Sequence, residues 1–145
     1  MSLALPVQAE PEAPMYWRRR FRGEIEQARV VRAFARHLPA GFAVLDDVLL
    51  VLNELMVNAV RHTRSGEDGG HFIVEISQNA RVVLVSVTDE GGSSIPAACP
   101  AHGAGGDDLW ESGRGLLTVE ALTACWSWTG DATGRTVHAS FPAHR

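Results

Sequence analysis

The chain has 145 residues, 46% of them apolar and 21% charged, which is the composition of a globular protein long enough to bury a sizeable core. Its formal net charge of −4 and pI of about 5.8 give no argument for a nucleic-acid or membrane partner. All 13 Lys/Arg positions are Arg, so any mechanism that needs a lysine, such as a Walker-A loop or a Schiff base, is excluded.

Residues 1–15 carry Pro6, Pro11 and Pro14 with few large apolar groups and read as a mobile extension. They have neither the positive start nor the apolar core of a signal peptide. No run of ~18 apolar residues follows anywhere in the chain. Cys99 and Cys125 stand far apart without a CxxC, which suits a reducing compartment and gives no zinc pattern. The expectation is a cytoplasmic protein with one domain over residues 16–145.

"MYWRRRFRG" reads as a short strand, with Trp17 and Phe21 an even number of residues apart and Gly23 ending it. "EIEQARVVRAFARHL" is helical: Ile25, Ala28, Val31, Phe34 or Ala35, and Leu38 recur at helical spacing. Glu24 and Glu26 at its start and Arg36 and His37 at its end match the helix dipole. After the break at "PAG", a second helix runs from about Leu45 to Arg61. "RSGEDGG" is a turn-rich loop, and "HFIVEIS" and "RVVLVSVTD" alternate as an antiparallel hairpin. A long Gly-, Pro-, Ser- and Ala-rich stretch, "EGGSSIPAACPAHGAGGDDLWES", is the kind of loop that serves function or moves. "GRGLLTVEALTACW" is a third helix entered through two glycines, and "WSWTG" and "RTVHASF" close the chain as a hairpin around "DATG". The order β-α-α-β-β-loop-α-β-β predicts an α+β two-layer sandwich, a mostly antiparallel sheet with its helices on one face.

Three short stretches carry candidate chemistry. In "LNELMVNAVRHT", Glu54, Asn58 and His62 recur in steps of four and share one helix face, although the helix is otherwise apolar. An amide oxygen is a hard ligand suited to Mg²⁺, and a carboxylate one turn away can orient or deprotonate a nucleophile. On its own the stripe is equally a solvated polar edge. In "VTDEGG", Asp89 ends a strand and Gly91 follows two residues later; such a carboxylate can accept the exocyclic amine of adenine, where guanine would present a repelled oxygen. On its own this is also a common strand-ending turn. In "SGRGLL", Gly113 and Gly115 open a helix whose backbone N–H groups can bind phosphate, or the glycines serve close packing alone. The βαβ context of a dinucleotide fingerprint is missing there.

In this order the three stretches resemble the Bergerat-fold (GHKL) ATP-binding superfamily, which includes gyrase B, MutL, the histidine kinases and the anti-sigma-factor kinases. "NELMVNAVRHT" looks like its N box, "DEG" and "GRGL" like its two glycine boxes, and "GRTVHASF" like its closing strand, over roughly residues 16–142. The resemblance implies ATP and Mg²⁺ as ligands. It implies that Asn58 holds Mg²⁺ on the phosphates, Glu54 is the general base, Asp89 reads adenine and Gly91 clears space for the ring. Gly113, Gly115 and the backbone near Leu116 would wrap the phosphates, and Thr136 would complete the adenine contact. His62 matches a frequent N-box position without a fixed role, and Arg114 would touch phosphate or only solvate the lid. His71, His102 and His138 have no metal spacing and read as structural.

Within the superfamily, a gyrase- or MutL-type ATPase would need a transducer domain, and a sensor kinase a helix pair bearing the phosphoacceptor histidine. The expectation is therefore the small stand-alone type, similar to anti-sigma factors of partner-switching systems. These bind a sigma factor and phosphorylate a Ser or Thr of a STAS-domain anti-anti-sigma antagonist, and related proteins are often homodimers. A second reading, from a different class, is a nucleotide-gated binding module that sequesters a sigma factor or another regulator without phosphotransfer. A third is an α+β domain with no nucleotide site.

Overall fold

The structure is a computed structural model and describes residues 14–40, 42–93 and 114–143. Its elements in chain order are β1 (Met15–Arg22), α1 (Ala28–Ala35), α2 (Phe42–His62), β2 (His71–Gln78), β3 (Val82–Asp89), α3 (Arg114–Leu122), β4 (Cys125–Asp131) and β5 (Gly134–Pro142). Single 3-10 turns at Ile25–Gln27 and Arg64–Gly66 precede α1 and follow α2. The five strands form one antiparallel sheet in the order β1-β2-β3-β5-β4. The helices pack on it to make an α+β two-layer sandwich, as expected. None of the described helices is long and apolar enough to cross a membrane.

Period-two alternation explains the sheet. Phe72, Val74 and Ile76 of β2, Val83, Val85 and Val87 of β3, and Val137, Ala139 and Phe141 of β5 are all buried. Their neighbours in sequence face the other side and are wetter. The helices cover the buried side. α2 supplies Val44, Val48, Val51, Leu52, Leu55, Met56 and Ala59 to the core, and α1 and α3 flank it with Val31, Ala35, Leu116 and Val119. At the β1 edge, the Trp17 ring stacks on Phe34 of α1 at 4.2 Å, and Phe21 stacks on Phe72 at 5.5 Å. Arg32 of α1 donates to Asn53 Oδ1 of α2 at 2.7 Å, so α1 packs on the Asn53 side of α2.

Two elements differ from the sequence reading. The first helical stretch is a 3-10 turn at Ile25–Gln27 leading into α1, which ends at Ala35. Glu24 before it is extended and makes no side-chain cap, so the first turn lacks the bond that anchors a longer α-helix. The third helix stops at Leu122, four residues short of Trp126. Thr123 closes it by bonding back to the Val119 carbonyl through both N–H and hydroxyl, and Ala124 N–H already donates to Ser140 of β5. Cys125 and Trp126 therefore belong to β4, where Trp126 and Trp128 turn their rings toward the core.

Candidate functional site

Glu54, Asn58 and His62 lie on α2 at successive turns of one face. Most of α2 is sealed by its apolar side chains, and Asn58 is drawn in with them to 9% exposure. Glu54 and His62 are half-buried. The helix ends just beyond His62 at Thr63, whose hydroxyl donates to the Ala59 carbonyl at 2.6 Å and accepts from Ser65 N–H at 3.0 Å. That one side chain both terminates α2 and starts the next turn.

The Arg64–Gly66 turn is fastened to the segment that follows β3. Arg64 N–H donates to the Gly91 carbonyl at 2.8 Å, and the buried Ser65 hydroxyl accepts from Glu90 N–H at 3.0 Å. The Arg64 guanidinium reaches across to the Ala132 carbonyl in the β4–β5 turn at 2.8 Å. His62, Thr63, Arg64, Gly92 and Ser93 border a cavity of about 380 Å³ at this junction.

Asp89 ends β3 on the helix side of the sheet, only 5% exposed. Its Oδ1 accepts from Gly91 N–H at 2.6 Å. Burial raises its carboxyl above the ordinary value of 3.8, while the Gly91 bond and the Arg135 charge pull the other way. Gly91 sits at φ +79°, and a Cβ there would come within 2.2 Å of the Ala132 carbonyl oxygen. Glycine is therefore required by backbone conformation and by the turn packed over it.

Thr136 is not brought to this place. It pairs with Thr88 across the β3–β5 ladder, and the two hydroxyls bond at 2.8 Å on the side of the sheet away from the helices. The residue opposite Asp89 on the same side is Arg135. Its side chain is 4% exposed, donates through Nη2 to the Gly92 carbonyl at 2.7 Å, and lies over the Trp128 ring at 5.8 Å. Thr136, expected to complete the adenine contact, therefore lies on the outer face, and the β5 side chain beside Asp89 is Arg135. Sequence reasoning missed Arg135, although the odd-numbered inward set Val137, Ala139 and Phe141 extends to it by alternation. It also missed Thr63, whose bonds to Ala59 and Ser65 are local, and Arg64 and Ser65, whose partners Glu90, Gly91 and Ala132 are distant in sequence.

Arg114, Gly115 and Leu116 form the first turn of α3. Leu116 is buried at 1% exposure, as α3 packs along α2. Gly113, residues 94–112 of the loop before it with Cys99 and His102, and residues 1–13 of the N-terminal extension lie outside the described residues, while Met15 already belongs to β1. His71 opens β2, where its N–H donates to the Glu90 carboxylate at 2.8 Å, and His138 lies exposed on the outer side of β5.

Residues 22–141 match the family of histidine kinase-like ATPase domains. The chain belongs to that family. The match runs from the end of β1 to β5 and takes in both the α2 face and the Asp89 turn. No curated protein matches the chain. A histidine kinase-like ATPase domain binds ATP, and the side chains here suit such a ligand by their chemistry. A desolvated carboxylate beside a glycine turn is an acceptor for a base amine. A buried amide one helical turn from a carboxylate is a hard oxygen ligand for a phosphate-bound cation. Such an ion, held mainly through phosphates, needs no cage of protein ligands. None of three or more His, Cys, Asp and Glu is found among the described residues.

Proposed function

We propose that this ATP-binding domain is an anti-sigma-type serine/threonine-protein kinase that phosphorylates a STAS-domain anti-anti-sigma antagonist. The observation that carries the reading is Glu54 one turn before the buried Asn58, on the same face of α2. A pure ATP-binding module needs the amide for the cation, whereas phosphotransfer also calls for a base where Glu54 stands. In the kinase reading Asp89 accepts the adenine amine, Gly91 leaves room for the ring, and the first turn of α3 lies along the phosphates. Asn58 would hold Mg²⁺, which when bound neutralises charge on the phosphates. Glu54 takes the proton from the Ser or Thr hydroxyl as its oxygen bonds to the γ-phosphorus and ADP departs.

The test is transfer of labelled phosphate from ATP to STAS-domain candidates from the same genome, by wild type and Glu54→Gln. Transfer by the wild type, lowered by a factor of about 100 or more in Glu54→Gln with ATP affinity kept, is the expected result. Equal rates in the two proteins would remove Glu54 as the base. Nucleotide-dependent capture of a sigma factor or other regulator, with no phosphate on any partner, would leave the non-catalytic binding module in its place.

A further inference from the structure

We propose that Arg135 is the residue that positions the base-reading turn, and hence a determinant of base specificity; this rests on the reading of Asp89 as the contact to the adenine amine. Four observations converge on it. Arg135 stands opposite Asp89 in the β3–β5 register and on the same side of the sheet. It is 4% exposed, on a hairpin that borders the sheet. Its Nη2 bonds to the Gly92 carbonyl, 43 residues away in sequence, at 2.7 Å. Its guanidinium lies over the Trp128 ring at 5.8 Å, so the side chain is held from below as well as at its tip.

Burying a guanidinium is costly, and an apolar side chain of similar volume commonly serves packing as well or better. Packing alone does not explain an arginine here. What the guanidinium supplies is a tether. Beyond Asp89 the chain leaves the β ladder; Ser65 holds Glu90 N–H, and three more bonds set the path at Gly91 and Gly92. Gly91 N–H is held by Asp89 Oδ1, the Gly91 carbonyl by Arg64 N–H, and the Gly92 carbonyl by Arg135. Two of these come from α2's trailing turn and from Asp89 itself. Among the described residues, it is Arg135 that ties the turn to β5. Its charge also opposes the effect of burial on the Asp89 carboxyl and favours the ionised form that accepts an amine. The same side chain therefore holds the carboxylate turn in place and sets a favourable charge beside it.

The test compares Kd for Mg²⁺-ATP and for purine riboside triphosphate, which lacks only the exocyclic amine, in wild type, Asp89→Asn, Arg135→Lys and Arg135→Met. The expected result is that wild type prefers ATP and Asp89→Asn does not. Arg135→Met should cut the preference by about tenfold, the size of one charged hydrogen bond. Arg135→Lys, which keeps a charged donor for Gly92, should recover most of it. A merely structural arginine would weaken both nucleotides equally and leave the ratio untouched, and that result in a folded Arg135→Met overturns the proposal. If Arg135→Met does not fold, Arg135→Gln, with an uncharged donor, is judged by the same ratio. A wild type with no preference for the amine would instead overturn the Asp89 reading, and the Arg135 proposal with it.

Discussion

Asp89→Asn is the sharpest perturbation of the proposed base site, because the geometry leaves the substitute no good choice. The carboxylate has two acceptor oxygens; Gly91 N–H takes Oδ1 at 2.6 Å, and the Arg135 backbone N–H is a second donor to the carboxylate. Asparagine has one acceptor oxygen. If that oxygen stays on Gly91 N–H, the amide NH₂ confronts the amine of the base, donor against donor. If the amide flips, Gly91 N–H loses its partner inside a buried turn. Either way one hydrogen bond to a charged group is lost, worth about 1.5–3 kcal/mol, and at 1.4 kcal/mol per decade the Kd for ATP should rise about 10- to 150-fold. Titration calorimetry with Mg²⁺-ATP, with GTP as the control ligand, measures this directly. The variant should remain folded. Burial raises the Asp89 carboxyl above 3.8, so between 3.8 and that raised value the native state binds more protons than the unfolded chain. The ionised carboxylate therefore costs stability that grows as pH rises through this window and persists at neutral pH. Asp89→Asn removes that cost. Its Tm relative to wild type should climb as pH increases from about 4. An Asp89→Asn protein that binds ATP as tightly as wild type would refute the reasoning about the base, and a Tm gap that shrinks with rising pH would refute the reasoning about burial.

Other substitutions separate the remaining parts of the site. Gly91→Ala forces a positive φ and a contact with the Ala132 carbonyl, so urea unfolding should show a loss of about 2 kcal/mol or more, with ATP binding impaired in parallel. Thr136→Val removes the partner of Thr88 on the outer side of the sheet; it should cost about 0.5–1.5 kcal/mol in stability and leave the Kd for ATP within about twofold. Leu52→Ala, at a fully buried position of α2, should cost about 2–5 kcal/mol by the same unfolding assay, without selective loss of nucleotide affinity in the folded fraction.

β2, β3 and β5 were legible because their alternation is nearly perfect, and the centre of α2 because its apolar positions recur without a break. Legibility fell wherever a distant contact decided the outcome. α3 looks helical as far as Trp126, yet Ala124 is claimed by Ser140, and the alternating Trp126 and Trp128 then complete a strand. Helical and strand periodicity also put Glu54 and Asn58 on one face of α2 and Asp89 at the end of β3, while the site itself was read from the family resemblance. Thr136 could not be placed by motif. A motif says which residue types recur near one another, whereas the face of a strand is set by counting from its buried neighbours. Counting from Val137 puts Arg135 inward and Thr136 outward.

The contacts around Thr63 and Arg64 carry the last step. A nucleotide that meets Asp89 with its base and Asn58 with its phosphates must span two elements distant in sequence, and any play between them would weaken both ends. The play is removed at one junction. Thr63 ends α2 and starts the turn, Ser65 and Arg64 bind the backbone at Glu90 and Gly91, and the Arg64 guanidinium reaches the β4–β5 turn that packs over Gly91. The carboxylate that would read the base is thus fastened to the end of the helix that would hold the phosphates. Arg64→Ala, which touches neither proposed contact, should accordingly weaken ATP and purine riboside triphosphate by the same factor. That response is opposite in kind to the one expected of Arg135→Met, and measuring the two variants side by side distinguishes a clamp between elements from a tether at the base.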